Sequence, residues 1–265
     1  MSDVAKRPRF FVPDLPAGTA GASSPASRRG RGPAVSLPPT ESHHAVHVLR
    51  LKAGDPVELF DGRGASALGR IDAVRRDAVA ATIEEVRPPA ARPEPVLHLA
   101  FAVPKGDRLD WLLEKATELG AASLRPVAFH RSVAGTGRLS PAKRDRWRAR
   151  CIAAAKQAGL DFLPDLGDPV PLDDFLGATG DTLGLCGDLG ADSQGLPRAL
   201  HGRRPHQPVT LLVGPEGGLT DEERLAICRA GFLPVRLGRT TLRIETAAVA
   251  LLAATLAILE KADLP

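Results

Sequence analysis

The hydrophobic pattern changes period at one proline-rich stretch, and no other feature constrains the fold as much. Residues 87–95 contain Pro88, Pro89, Pro93 and Pro95, a run too stiff and too short of N–H donors to continue a strand or a helix. Before it, apolar residues fall in short alternating segments at 46–51, 55–60, 67–73 and 78–86, with turn residues between them at Lys52-Ala53-Gly54-Asp55 and Asp61-Gly62-Arg63-Gly64. Alternation puts the apolar side chains of a strand on one face. The pattern therefore predicts a small all-β barrel or sandwich over residues 1–90, with a further short strand at Arg9-Phe10-Phe11-Val12. The tract 13–33 is built of Pro, Gly, Ala, Ser and Arg and is expected to be a mobile loop, because it has too little apolar surface to offset its ordering entropy. Its Arg28, Arg29 and Arg31 are either solvated or in electrostatic contact with nucleic acid.

Beyond the linker, over residues 91–265, strand and helix signals alternate. Residues 96–103 read as a buried strand; Leu109, Leu112, Leu113, Ala116 and Leu119 form one helical stripe that Gly120 ends. Ser140-Pro141 is a cap and first-turn pair opening a helix whose inner stripe is Trp147, Cys151, Ala154, Ala155 and Ala158, with Arg144 and Arg148 on the exposed face. Residues 182–186 and 209–213 are further strands. After the second come Gly214-Pro215-Glu216-Gly217-Gly218, a Thr220/Glu223 capping box, and a helix closed by Gly231. A strand at 235–237 and a long apolar helix at 245–261 complete an α/β pattern with a largely parallel sheet.

The charge is uneven. Net charge is only +4, but residues 125–150 carry eight basic side chains against Asp145, a local excess of +7. That patch is either a solvated helix face or a phosphate-neutralising surface. The longest apolar segments fall short of a membrane span and no secretory signal follows the first residues, so a cytoplasmic protein is expected. Cys151, Cys186 and Cys228 are isolated and odd in number, which argues against both a disulfide framework and a zinc site. His43 and His47, four apart, lack a companion ligand, so no metal is expected.

In α/β sheets ligands bind at the C-terminal ends of strands. Two loops there are rich in glycine and polar residues, 214–220 and 238–246, and either could serve as a plain tight turn or let backbone approach a flat ligand. A side chain added at Gly217 is expected to intrude on such a ligand. Gly62-Arg63-Gly64-Ala65-Ser66-Ala67 matches a dinucleotide fingerprint in letters only, since β segments flank it; it reads as a hairpin. No GxxxxGK[ST] motif occurs.

The ordered set of motifs is more specific than any one of them. Arg9-Phe10-Phe11-Val12, His43-His44-Ala45-Val46-His47-Val48-Leu49-Arg50 with Phe60-Asp61-Gly62, Lys105-Gly106-Asp107 leading to Glu114-Lys115-Ala116-Thr117-Glu118-Leu119-Gly120, Arg131-Ser132, Leu212 to Gly218, and Leu237-Gly238-Arg239 to Ala247 together resemble the ribosomal RNA small subunit methyltransferase E family over nearly the whole chain. The resemblance implies a PUA-like β-barrel followed by a SPOUT-type α/β domain with a trefoil knot. It also implies a homodimer, S-adenosylmethionine as cofactor, and methylation of uridine N3 in small-subunit (16S) ribosomal RNA within the assembled 30S subunit. Transferred by position, the cofactor contacts are Leu185, Leu212, Gly214, Pro215, Glu216, Gly217, Gly218, Leu237, Gly238, Arg239, Leu242 and Arg243. Arg9, His43, His44, Arg50, Lys105, Arg108, Arg144 and Arg148 are expected to face RNA, with Lys105 and Arg108 equally open to the other subunit. Arg243, Arg131 or both are expected to stabilise charge on uracil; Glu216 and Glu245 are candidates to take its proton, and either could instead accept hydrogen bonds from a helix start, the role favoured for Glu245. The chain departs from the family in two places: Leu160 follows Gln157-Ala158-Gly159 where an arginine is usual, and Ile244 replaces a threonine. A non-catalytic ribosome assembly factor, and a SPOUT enzyme acting on ribose 2′-oxygen or transfer RNA, are the rival readings.

Overall fold

The computed structural model describes residues 7–16, 32–75, 78–87, 89–132 and 136–262. Most of the tract expected to be a mobile loop, with its three arginines, lies outside them. The chain divides into two compact units, Met1–Arg92 with Ala155–Leu163, and Pro93–Ala154 with Pro164–Pro265.

The first unit holds β1 (Arg9–Phe11), β2 (Ala34–Ser36), α1 (Pro39–His43), a π-turn (His44–Val48), β3 (Pro56–Phe60), β4 (Ser66–Arg75) and β5 (Ala78–Arg87). Its five-stranded sheet runs β1-β3-β4-β5-β2, with β1 parallel to β3 and the other pairs antiparallel. Period-2 alternation sends Val57 and Leu59 of β3, Ile71 of β4, and Val79, Ala81 and Ile83 of β5 into one core with Phe10. Two register shifts between β4 and β5 bend the sheet. The β3–β4 connection needs its glycines: Gly64 has φ +103°, and a Cβ there would lie 2.4 Å from the Phe162 ring.

Residues 46–51 are not the strand their alternation suggests. Pro39 sets the first helical turn of α1, and the chain continues into the π-turn, where the Leu49 N–H donates to the His44 carbonyl at 3.0 Å. Only Ala45 of the π-turn is buried, so the apparent period of Val46 and Val48 has no sheet behind it. Ser42 fastens α1 instead: its hydroxyl donates to the Leu37 carbonyl and accepts the Val79 N–H.

The second unit begins with β6 (Leu97–Phe101), α2 (Arg108–Glu118), β7 (Ser123–Ala128), α3 (Pro141–Ala158), β8 (Asp165–Leu166), β9 (Val170–Pro171) and α4 (Leu172–Gly177). It continues through β10 (Leu183–Gly187), β11 (Gln194–Gly195), α5 (Leu196–Leu200), β12 (Val209–Val213), α6 (Asp221–Arg229), β13 (Leu233–Arg236) and α7 (Ile244–Ala262). Every pairing is parallel, in the order β11-β13-β10-β12-β6-β7-β8, with β9 beside β7. The central strands are apolar on both faces, as helix-covered parallel strands must be: all five residues of β12 are buried. On α3 the stripe Trp147, Cys151, Ala154 and Ala155 is buried, whereas Ala158, expected to extend it, is exposed in the last turn.

Candidate functional site

Three neighbouring parallel strands, β13, β10 and β12, end at one edge, and their following loops enclose a cavity of 350 Å³. Beyond β12 the ladder stops because Pro215 has no N–H to give; the Gly218 N–H closes a turn on the Pro215 carbonyl at 2.9 Å, and Gly218 takes φ +74°. Thr220 then caps α6, its Oγ1 accepting the Glu223 N–H at 3.1 Å while Glu223 Oε2 accepts the Thr220 N–H at 2.8 Å. Glu223 Oε1 accepts the His130 N–H at 2.7 Å, and Arg131 Nη1 donates to the Gly217 carbonyl at 2.9 Å. The loop after β7 is thereby fastened to the glycine loop.

Beyond β10, Gly187, Asp188 and Leu189 form a second wall. Asp188 is held by an ion pair to Arg224 of α6 at 2.5 Å and by its own N–H donating to the Val235 carbonyl at 2.9 Å. The loop after β13 supplies Leu237, Gly238, Thr240, Thr241 and Leu242, and Ala247 and Leu251 of α7 close the floor. Leu189, Leu237 and Leu242 are 47%, 37% and 36% exposed, so three of the largest uncovered apolar side chains rim one hollow. Surface like that is normally covered by a ligand.

Of the expected cofactor contacts, the structure brings Gly214, Pro215, Glu216, Gly217, Gly218, Leu237, Gly238 and Leu242 to the cavity. Leu185 and Leu212 do not line it; both are fully buried mid-strand, and Gly187 and Val213, farther along the same strands, line it instead. Arg239 and Arg243 lie outside the cavity wall, and both are exposed. A Cβ added at Gly217, which lines the cavity, would stand 3.2 Å from the Arg131 Cβ. Thr240 and Thr241 lie in the expected loop 238–246 without having been named as contacts, and Asp188 and Arg224 were not singled out from sequence. Asp188 carried a signal, a polar residue directly after a parallel strand.

Arg108, at the start of α2, spans two carboxylates. Its Nη1 lies 2.9 Å from Glu216 Oε1 and its Nε 3.8 Å from Glu245 Oε1. Glu245 is buried, and its Oε2 has no hydrogen-bond partner among the described residues. Lys105 is exposed just before α2.

Several residues expected to face RNA are engaged otherwise. Arg9 is 7% exposed, paired with Asp161, 3.6 Å from Glu58 and stacked 4.9 Å over the Phe60 ring, so it is a structural cation of the first unit. Arg144 pairs with Asp168 and donates to the Leu166 carbonyl, which removes it from the free face of α3. Arg146 and Arg150 both reach Asp110. Arg148 is exposed and is also engaged. In the first unit His43 and His47 are exposed, with ring centroids 4.6 Å apart, and Arg50 is exposed at φ +54°. Burial, seconded by Lys156, lowers the pKa of His44. Among the described residues no group of three His, Cys, Asp or Glu side chains could hold a metal, and no helix is long and apolar enough to cross a membrane.

A curled β unit joined to a parallel α/β unit with its cavity at the strand ends matches two sequence families: an RNA methyltransferase PUA domain over residues 37–84 and an RNA methyltransferase domain over residues 92–256. The matched domains and the fold are those of an RNA methyltransferase. The ribosomal RNA small subunit methyltransferase E of Synechocystis is 32% identical over 85% of this chain and 74% of its own length, and that of Bacillus subtilis is 30% identical over 81% and 86%. The crystal structure of the Neisseria gonorrhoeae enzyme of that name, bound to S-adenosyl methionine, superposes with a TM-score of 0.78 at 27% identity, covering 95% of this chain and 98% of that one. This chain belongs to the ribosomal RNA small subunit methyltransferase E family.

Proposed function

We propose that the protein transfers a methyl group from S-adenosylmethionine to N3 of a uridine in small-subunit (16S) ribosomal RNA. The observation carrying this reading is the single cavity bounded by the loops after β10, β12 and β13. Its residues fit that cofactor: glycine backbone gives close approach on one side, and Leu189, Leu237 and Leu242 offer apolar surface to a flat adenine. Bound there, S-adenosylmethionine supplies a methyl group on a sulfonium, an electrophile needing in-line approach rather than activation. The chain must then handle the N3 proton. As the N–C bond forms and the S–C bond breaks, that proton passes to a carboxylate, for which Glu216 at the cavity rim is the candidate. Arg131 and Arg243 stabilise the charge on the uracil oxygens.

No thiolate is required at N3, and the buried thiols fit that: burial pushes Cys151 up to about 11 and Cys186 up to about 12. A homodimer acting in the cytoplasm on the assembled 30S subunit completes the reading. So does a trefoil knot, supported by a strand order in which the link from β12 to β13 passes β10.

Methyl transfer to purified small subunits from cells lacking the protein tests this directly. Base-methylated uridine is expected on digestion and mass spectrometry; a ribose methyl group, a methyl acceptor only in transfer RNA, or no transfer at all would overturn it. Ala247→Leu tests the cavity. Leucine keeps α7 helical but projects into the hollow, so calorimetry should show S-adenosylmethionine affinity falling at least about tenfold, or about 1.4 kcal/mol.

A further inference from the structure

A second groove of 430 Å³ opens beside the cavity, bounded by Leu189, Gly195, Arg236, Leu237, Gly238 and Arg239. Four of these residues, Leu189, Arg236, Leu237 and Gly238, also line the cavity, so the two hollows share a wall. The groove combines two features that rarely coincide without a ligand. Its apolar part is uncovered, with Leu189 47% and Leu237 37% exposed. Its charged part is uncompensated: Arg236 and Arg239 are exposed, and among the described residues neither meets a carboxylate or another hydrogen-bond acceptor.

Some basic residues elsewhere in this unit are neutralised from within, whereas Lys105, Arg198, Arg229 and Arg243 are exposed without a carboxylate partner among the described residues. Arg144, Arg146, Arg150, Arg108 and Arg224 all have carboxylate partners. Free guanidiniums beside exposed leucines suit a ligand with a flat apolar face and anionic oxygens a few ångströms away. A nucleotide has that composition, its base covering the leucines and its phosphate accepting from the arginines. A pocket of this size is in the range that admits one small-molecule unit, so the RNA there is single-stranded.

We propose that this groove is a subsite for one unpaired nucleotide flanking the methylated base. The proposal rests on the RNA methyltransferase reading above and assigns Arg239 to the RNA rather than to the methyl donor, with Arg236 on the wall shared by the two hollows.

The test compares the unaltered protein with Arg236→Ala, Arg239→Ala and the double variant, using a fluorescent uridine-rich RNA of about twelve nucleotides. Calorimetry on the same preparations measures S-adenosylmethionine affinity. The double variant should bind the RNA about tenfold more weakly, and the slope of log affinity against log salt should flatten by about 0.7 per lost phosphate contact, about 1.4 in all. Donor affinity of the Arg239→Ala variant should stay within about twofold, since Arg239 lies outside the cavity wall, whereas Arg236 stands on the wall that the two hollows share. An unchanged salt slope overturns the proposal, as does an unaltered protein that holds no RNA at about 50 mM salt. Donor affinity that falls with Arg239→Ala also overturns it and gives the groove to the cofactor. Failure of the unaltered protein to bind S-adenosylmethionine would instead sink the functional reading, and shows in a separate measurement.

Discussion

Arg9 shows how little a residue's type says about its use. In the sequence it is a cation beside two phenylalanines near the start of a nucleic-acid-handling chain, and RNA contact is the natural reading. Its partner Asp161 is 152 residues away in sequence, so nothing local reveals that the pair is internal. Arg9 is buried but Asp161 is a third exposed, so removing the arginine leaves a carboxylate that water partly screens. Arg9→Met should therefore destabilise the protein by about 1–2 kcal/mol in denaturant titration while RNA affinity and its salt dependence stay unchanged. A loss of RNA affinity without a loss of stability would restore the surface role. The same distinction applies to residues 125–150, where a local charge of +7 is easily read but the carboxylates of Asp110 and Asp168 that answer part of it are not.

At the scale of elements, local signals were the legible ones. The all-apolar run of β12, the Thr220 capping box, the Gly231 stop and the length of α7 each depend on neighbours within a few residues, and each stands where its signal puts it. The segment 46–51 misled because two valines at spacing two fit a strand and an irregular helical turn alike, and only the missing sheet partner separates them. The Glu223 carboxylate adds something the capping motif does not contain, a clasp on the His130 N–H. Glu223→Ala should thus cost more than an ordinary cap, about 1–3 kcal/mol by thermal denaturation, and raise amide exchange at residues 130–132 as well as at the start of α6. Glu223→Gln, which keeps one acceptor oxygen and puts an NH2 donor where the other stood, should recover only one of the two hydrogen bonds and so about half of the loss. Exchange confined to α6 would show the clasp to be idle.

Over the whole molecule, the change from β to α/β pattern was readable at one proline-rich stretch, as were the two glycine loops, whereas the place of Ala155–Leu163 with the first unit was not. That those loops share a cavity with the residues after β10 was not, because strands distant in sequence become neighbours only through pairing. A ligand that binds only the folded state raises stability by mass action. S-adenosylmethionine at about a hundred times its dissociation constant should therefore stabilise the second unit by about 2.7 kcal/mol, seen as a shift of its melting transition. At the same donor concentration Ala247→Leu should cut that stabilisation to about 1.4 kcal/mol or less without lowering the melting temperature of the ligand-free protein.

The strand order also sets a timetable for the chain as it leaves the ribosome. β10 emerges before either of its flanking strands, β12 and β13, and the last wall of the cavity is α7. Such non-local parallel pairing is slow to form, and here it cannot finish until β13 and α7 have been translated. The nascent protein accordingly has no complete place for a methyl donor before then, and the capacity to bind one arrives abruptly with α7.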